Sequence, residues 1–164
     1  MATLQIAHLS DLHILRDYNG SMLDRAPLRQ TVPPVNYVLA GIREAVAARP
    51  DVIVLTGDLV HEGAEEDYRY LRELIERECT GIPVIPVLGN HDFKQAFYRG
   101  YLGEERTGSY TARYELGGYR FLVLDTAQEG NGCGVISQEQ VQWLSEELAQ
   151  PYGQGTILLG HHPF

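Results

Sequence analysis

The chain has 164 residues, 22 acidic against 13 basic, and a formal net charge of −9 at pH 7. A hydrophobic content of 44% and a charged content of 21% exclude a disordered chain, and the acidic balance argues against a nucleic-acid partner held on a broad basic face. The length suits one domain with a sizeable core.

Residues 3–9 read as a first apolar strand, followed over 14–30 by a long irregular segment. A loop of that length is either functional or a solvated excursion, and both readings stand. If functional, Arg16, Tyr18, Asn19 and Arg25 are its candidate pocket residues. A first helix is expected from near Thr31, with Pro33 and Pro34 in its opening turn and Val35, Val38, Leu39, Ile42 and Val46 on one face. Residues 52–55 form a second strand. Residues 64–79 form a second helix whose buried side is Tyr68, Leu71, Ile75 and Cys79, with an acidic first turn.

Residues 83–88 have strand character, but Pro83 and Pro86 each remove a ladder donor, so an irregular or bulged start is expected. A short helix follows Phe93. Residues 109–116 and 119–124 flank Gly117-Gly118, a two-residue hairpin signal. Ser137-Gln138-Glu139-Gln140 opens a further helix with a capping-box pattern, and Val141, Leu144 and Leu148 are its expected buried residues. Residues 156–159 form the last strand. The alternation predicts a layered α/β fold.

Cys79 and Cys133 read as two unpaired thiols, which favours a reducing cytoplasm. Met-Ala-Thr-Leu-Gln runs into the first strand with no basic leader or apolar targeting core. No run approaches the ~18–20 apolar residues of a membrane span. The expectation is a cytoplasmic protein without a membrane partner.

Four segments carry the chemistry: Asp11-Leu12-His13, Gly57-Asp58, Gly89-Asn90-His91-Asp92 and Gly160-His161-His162. Each follows an apolar strand, so each places its side chains at a strand's carboxyl end, where open α/β sheets build their sites. Carboxylates, an amide oxygen and imidazoles in one set suit Mn, Fe or Zn rather than the all-oxygen shell of Ca²⁺. Two such metals would suit hydrolysis, lowering the pKa of a bound water and neutralising charge that develops in the displacement. Asp58 is the natural bridge, one carboxylate oxygen facing each metal. As a helix cap it would sit too far from residue 64. Asp11 and His13, at i and i+2, share a face if the strand continues. Asn90 reads as a ligand or as a turn residue beside Gly89. Asp125 reads as a hydrogen-bond anchor, and His8 as a structural core histidine. For His61, substrate contact and a bland role both stand.

In order and spacing, these segments resemble four of the five metal-binding blocks of the calcineurin-like metallophosphoesterases. Val60-His61-Glu62-Gly63 and His161-His162-Pro163 refine the resemblance to the branch of class III cyclic-nucleotide phosphodiesterases and glycerophosphodiesterases. The resemblance implies an α-β-β-α sandwich and two divalent metal ions (Mn, Fe or Zn). It puts Asp11, His13 and Asp58 on one metal, and Asp58, Asn90 and His161 on the other. The choice of His161 over His162 rests on the resemblance alone. His91 would act on the substrate, and Asp92 would receive its other N–H, cap the helix after Phe93, or do both.

The implied substrate is a small phosphodiester. A phosphomonoesterase or phosphoprotein phosphatase on the same scaffold, or a non-catalytic scaffold, stays open because substrate choice lies in loops. The family's fifth block, Gly-His-x-His, does not occur before Phe164. The expectation is therefore a single domain over 1–164 corresponding to the amino-terminal part of such an enzyme. Its exposed edge and apolar surface would favour association into homo-oligomers.

Overall fold

The computed structural model describes residues 3–23, 32–128 and 131–163. Arg25 and Thr31 lie outside them. Three parallel strands, β1 (Ile6–Leu9), β2 (Val52–Thr56) and β3 (Val84–Val87), form the first sheet in the order β1-β2-β3. β2 is central and buried on both faces, as its uninterrupted Val-Ile-Val-Leu run requires. β3 pairs in continuous register, Ile53 with Val84 through Thr56 with Val87, so the expected bulge is absent. An edge strand tolerates its prolines because half of its backbone donors face no neighbouring strand.

The helices α1 (Pro34–Ala47) and α2 (Glu65–Glu78) connect these strands. Ile42 of α1 is buried, with Val35, Val38, Leu39 and Val46 packed beside it on the expected face. α2 buries Tyr68, Leu71, Leu74 and Ile75, followed by Cys79. The Asp67 carboxylate accepts the Ala64 amide at 2.9 Å and satisfies a donor of the first turn. α3 (Lys94–Phe97) runs into a π-helical turn, Tyr98–Leu102, which packs on α2. Gly100 makes this approach close, since a Cβ there would lie 2.3 Å from the Glu65 carbonyl oxygen.

The second sheet has the order β4-β5-β6, with β4 (Ala112–Leu116) antiparallel to β5 (Tyr119–Val123) and β6 (Gly155–Leu159) parallel to it. Gly117 and Gly118, at φ +57° and +83°, supply the left-handed turn the hairpin needs. Phe121, Val123 and Leu159 share one buried cluster with Ile53, Leu55 and Val87, so the two sheets enclose a common core.

α4 (Gln138–Leu148) corrects the sequence expectation. Val141 and Leu148 are 51% and 48% exposed, Leu144 is half-buried, and the buried residue is Gln140. The inward face is offset from the apolar pattern because the Gln140 amide pairs with both the N–H and C=O of Asp125, at 2.8 and 2.9 Å. Gln140 therefore cannot close the capping box, although Ser137 Oγ still accepts the Gln140 amide. Buried Arg120 of β5 anchors the other end of α4 through the Glu147 carbonyl. His8 is also a correction. It lies on the exposed face of the edge strand β1, bonded to Thr56 Oγ1 at 2.5 Å, rather than in the core.

Candidate metal centre

Beyond the ends of β1, β2 and β3 the backbone of three loops is laced together. Asp11, His13 and Ile14 donate their amides to the carbonyls of Gly57, Asp58 and Leu59 at 3.1, 2.8 and 3.0 Å. This holds the first ligand pair in register with the Gly-Asp turn. Glu62 in turn donates its amide to the His91 carbonyl at 2.9 Å.

The segment after β1 is not an extended strand. Asp11, His13 and Asp58 have φ of +57°, +45° and +49°, and the other two described non-glycine residues with positive φ are Arg49 and Glu62. A left-handed backbone is unfavourable for such residues and persists where surrounding contacts impose it, commonly at functional sites. Here it brings Asp11 and His13 together beside Asp58, so the expected convergence arises by a different backbone route. One ligand atom from each of Asp11, His13 and Asp58 lies within 4.8 Å of the others.

Asp58 is the centre of the arrangement. Its Oδ1 accepts the His91 amide at 3.0 Å. Its Oδ2 lies 3.7 Å from His13 Nε2 and 3.6 Å from His161 Nε2. The expected division, one oxygen to each side, is therefore replaced by a single oxygen flanked by two imidazoles. His161 reaches this position by donating Nδ1–H to the Thr56 carbonyl at 2.8 Å, which leaves Nε2 as a lone-pair donor toward Asp58. The ring occupies the space above Gly57, where a Cβ would lie 2.4 Å from its Nδ1. Gly89 is constrained in the same way, its hypothetical Cβ 2.2 Å from Asp58 Oδ1. His162 turns away, bonded through Nδ1 to Thr126 Oγ1 at 2.9 Å and packed on Gly134.

Burial lowers the pKa of His13 against the opposing pull of Asp58, and burial and the His91 ring lower that of His61. Both favour neutral imidazoles, the form that binds metal. This set of hard oxygens and neutral nitrogens, facing one another at such distances, fits divalent transition metals. Asn90 lies half-buried between Gly89 and His91 at the mouth of the same loop.

His91 and Asp92 do not form the expected pair. Asp92 is fully buried, and its oxygens accept the amides of Leu59, Val60 and Gly89 at 2.9 to 3.0 Å and the Tyr68 hydroxyl at 2.8 Å. Its carboxylate points back into the loops instead of toward His91. It does not cap the following helix either, since the Phe93 amide donates to Tyr68 Oη at 2.9 Å. Burial pushes Asp92 up to about 6, against the pull of its four donors.

His91 instead stacks on His61, with ring centroids 4.8 Å apart, and meets the edge of His13 at 5.2 Å. Beside this imidazole group opens a cleft of about 460 Å³ lined by Leu15, Asn19, Met22, His61, Glu62 and Asp67, among others. Of the loop residues proposed for a pocket, Asn19 lines this cleft and Arg16 and Tyr18 do not. Asp125 is the anchor expected, bonded to the Tyr110 and Ala127 amides and paired with Lys94 at 2.9 Å. Sequence reasoning passed over Thr56, Tyr68 and Glu62. The first acts through its backbone and the second through a hydroxyl on a core residue, neither of which has a pattern to read.

Two α/β layers around a common core, with ligand-bearing loops at the carboxyl ends of parallel strands, define a class of metal-site fold, and comparison with known proteins makes it specific. Residues 4–164 match the calcineurin-like phosphoesterase family, and the chain belongs to that family. It is 37% identical over 161 residues to a probable cyclic nucleotide phosphodiesterase of Rhodococcus erythropolis, covering 96% of this chain and 52% of that protein. It is 35% identical over 164 residues to a cAMP/cGMP dual specificity phosphodiesterase of Mycobacterium tuberculosis, covering 96% and 49%. A glycerophosphodiester phosphodiesterase of Enterobacter lignolyticus is 28% identical over 163 residues, covering 96% and 56%. The chain thus spans about half the length of these curated relatives. Among solved structures, a dimetal phosphatase from Danio rerio has the same fold, with a TM-score of 0.66 at 13% identity, covering 98% of this chain and 70% of that one. No helix among the described residues is long and apolar enough to cross a membrane.

Proposed function

We propose that the protein is a metal-dependent phosphodiesterase working at a binuclear centre, with Asp11, His13 and Asp58 on one metal and Asp58, Asn90 and His161 on the other. The observation that carries this reading is Asp58 Oδ2, held 3.7 and 3.6 Å from the Nε2 atoms of His13 and His161. A carboxylate oxygen between two imidazole nitrogens is the arrangement a shared ligand needs. Two divalent ions bound there would lower the pKa of a bound water and neutralise charge on the phosphate.

The chain's own residues supply the rest. His91, at the rim and not among the ligands, faces the position of the ester and gives a proton to the leaving oxygen, a contribution of roughly 10²–10⁴-fold. Asp92 keeps its place in the mechanism only as a positioning residue, fixing the loops that carry Asp58, Asn90 and His91. The cleft beside His61 takes the alcohol side of the ester.

The relatives named for cyclic nucleotides and for glycerophosphodiesters support a small diester as substrate. The test is turnover of a bis-aryl phosphate against the matching mono-aryl phosphate by the Mn²⁺-loaded full-length protein. Preference for the diester is expected, whereas preference for the monoester would make it a phosphomonoesterase on the same scaffold.

A further inference from the structure

We propose that Glu62 is the carboxylate that positions His91, in the place the sequence suggested for Asp92. The inference rests on the reading of His91 as the proton donor. Asp92 is not available for the task, because three amides and a tyrosine hydroxyl already occupy its two oxygens. His91 Nδ1 is nonetheless buried and has no fully formed hydrogen bond among the described residues. The acceptor facing it is Glu62 Oε1, at 3.3 Å.

The backbone is built to bring the two together. The Glu62 amide donates to the His91 carbonyl at 2.9 Å, and Glu62 has a φ of +51°, a conformation that a neighbouring constraint must impose. Gly63 supplies that constraint: a Cβ there would lie 2.2 Å from Val60 Cγ1, so only glycine allows the turn to close. The rings of His61 and His13 hold the imidazole of His91 by stacking and edge contact, but neither bonds its nitrogens. Their contacts fix the ring's plane, and Glu62 fixes which nitrogen faces the cleft.

With Nδ1–H donated to Glu62, Nε2 is the atom presented to substrate. In the reaction a hydroxide oxygen forms the new bond to phosphorus as the bond from phosphorus to the leaving oxygen breaks. For this step the ring enters doubly protonated, with Nδ1–H on Glu62 and Nε2–H toward that oxygen; the Nε2 proton passes to the leaving oxygen, and the ring is left as the neutral Nδ1–H tautomer. Glu62 also lines the cleft, and its effect on the proton transfer runs through His91.

Long-range ¹H–¹⁵N spectra of the metal-free full-length protein read the tautomer directly. The Nδ1–H form of His91 is expected in the wild type and a mixture in Glu62→Ala. In the Mn²⁺-loaded protein, Glu62→Ala should lower kcat on diesters with alkoxide leaving groups by about 10- to 100-fold. Metal content should stay close to wild type, and turnover of bis-aryl substrates, whose phenolate leaving groups need no proton, should fall far less. Glu62→Gln, which keeps an acceptor oxygen, should restore most of the loss, and Glu62→Ala should add nothing to His91→Ala. An unchanged His91 tautomer in Glu62→Ala, or losses that add to those of His91→Ala, would overturn the proposal. If His91→Ala itself affects both leaving groups equally, the proton-donor reading falls, while the tautomer spectrum still decides what orients the ring.

Discussion

At the scale of single residues, side chains that hold metal and side chains that act on substrate should show distinguishable losses. Asp58→Ala should abolish hydrolysis and remove metal from both positions, since Asp58 Oδ2 faces imidazoles on two sides. Metal analysis giving unchanged stoichiometry in a folded variant would refute its bridging place. His91→Ala should keep its metal and lose most on poor leaving groups, as measured by kcat across a series of diesters. Asp92→Ala should act on stability first. It strands three buried amides and a hydroxyl, for a loss of about 2–4 kcal/mol in denaturant unfolding. A loss within about 0.5 kcal/mol would mean that the loops do not depend on it.

At this scale residue type and place after a strand picked out the four candidate segments, while the choice of His161 over His162 came from the family resemblance alone. The pairing around His91 was not legible. Two carboxylates, Glu62 and Asp92, lie in adjacent loops, and only the backbone donors collected by Asp92 decide between them. His8 misled for a related reason: its position in an apolar strand says nothing of whether that strand is at the edge.

At the scale of elements, the strands and helices followed from periodicity, while the offset of α4 did not. Val141, Leu144 and Leu148 mark an apolar stripe, but the inward-facing Gln140 finds backbone partners on Asp125 that no hydrophobic pattern encodes. The close approach of the loop after β6 to the turn after β2 is equally hidden, because it depends on what Gly57 lacks. Gly57→Ala should displace His161 from Thr56 and cost about 1–2 kcal/mol for the left-handed backbone alone. Metal titration should show one of the two positions weakened; unaltered binding at both would count against His161 as a ligand.

α1 and α2 are tied by the bidentate pair of Arg43 with Glu78, at 2.8 and 3.1 Å. The Arg43 guanidinium, aided by Arg77, holds the Glu78 carboxyl down at about 2 from its ordinary 4.5. A carboxylate with a depressed folded pKa contributes stability above pH 4.5 that is lost as pH falls toward 2. Arg43→Ala should therefore flatten the acid limb of the stability profile in that window, as read from denaturant midpoints at stepped pH. An unchanged limb would show that the pair is not coupled to folding.

At the scale of the whole molecule, the second sheet leaves both β4 and β6 as edges among the described residues. Val141, Leu148 and Leu158 are also exposed. Open edges and apolar side chains favour association, so residues 1–164 prepared alone should self-associate in sedimentation velocity. A single monomeric boundary at all concentrations would contradict this. Whether two metals share Asp58 is read by electron paramagnetic resonance of the Mn²⁺-loaded full-length protein. An exchange-coupled pair is expected, with the coupling lost in Asp58→Ala. Two magnetically isolated ions, a single bound ion, or coupling that survives in Asp58→Ala would contradict the account.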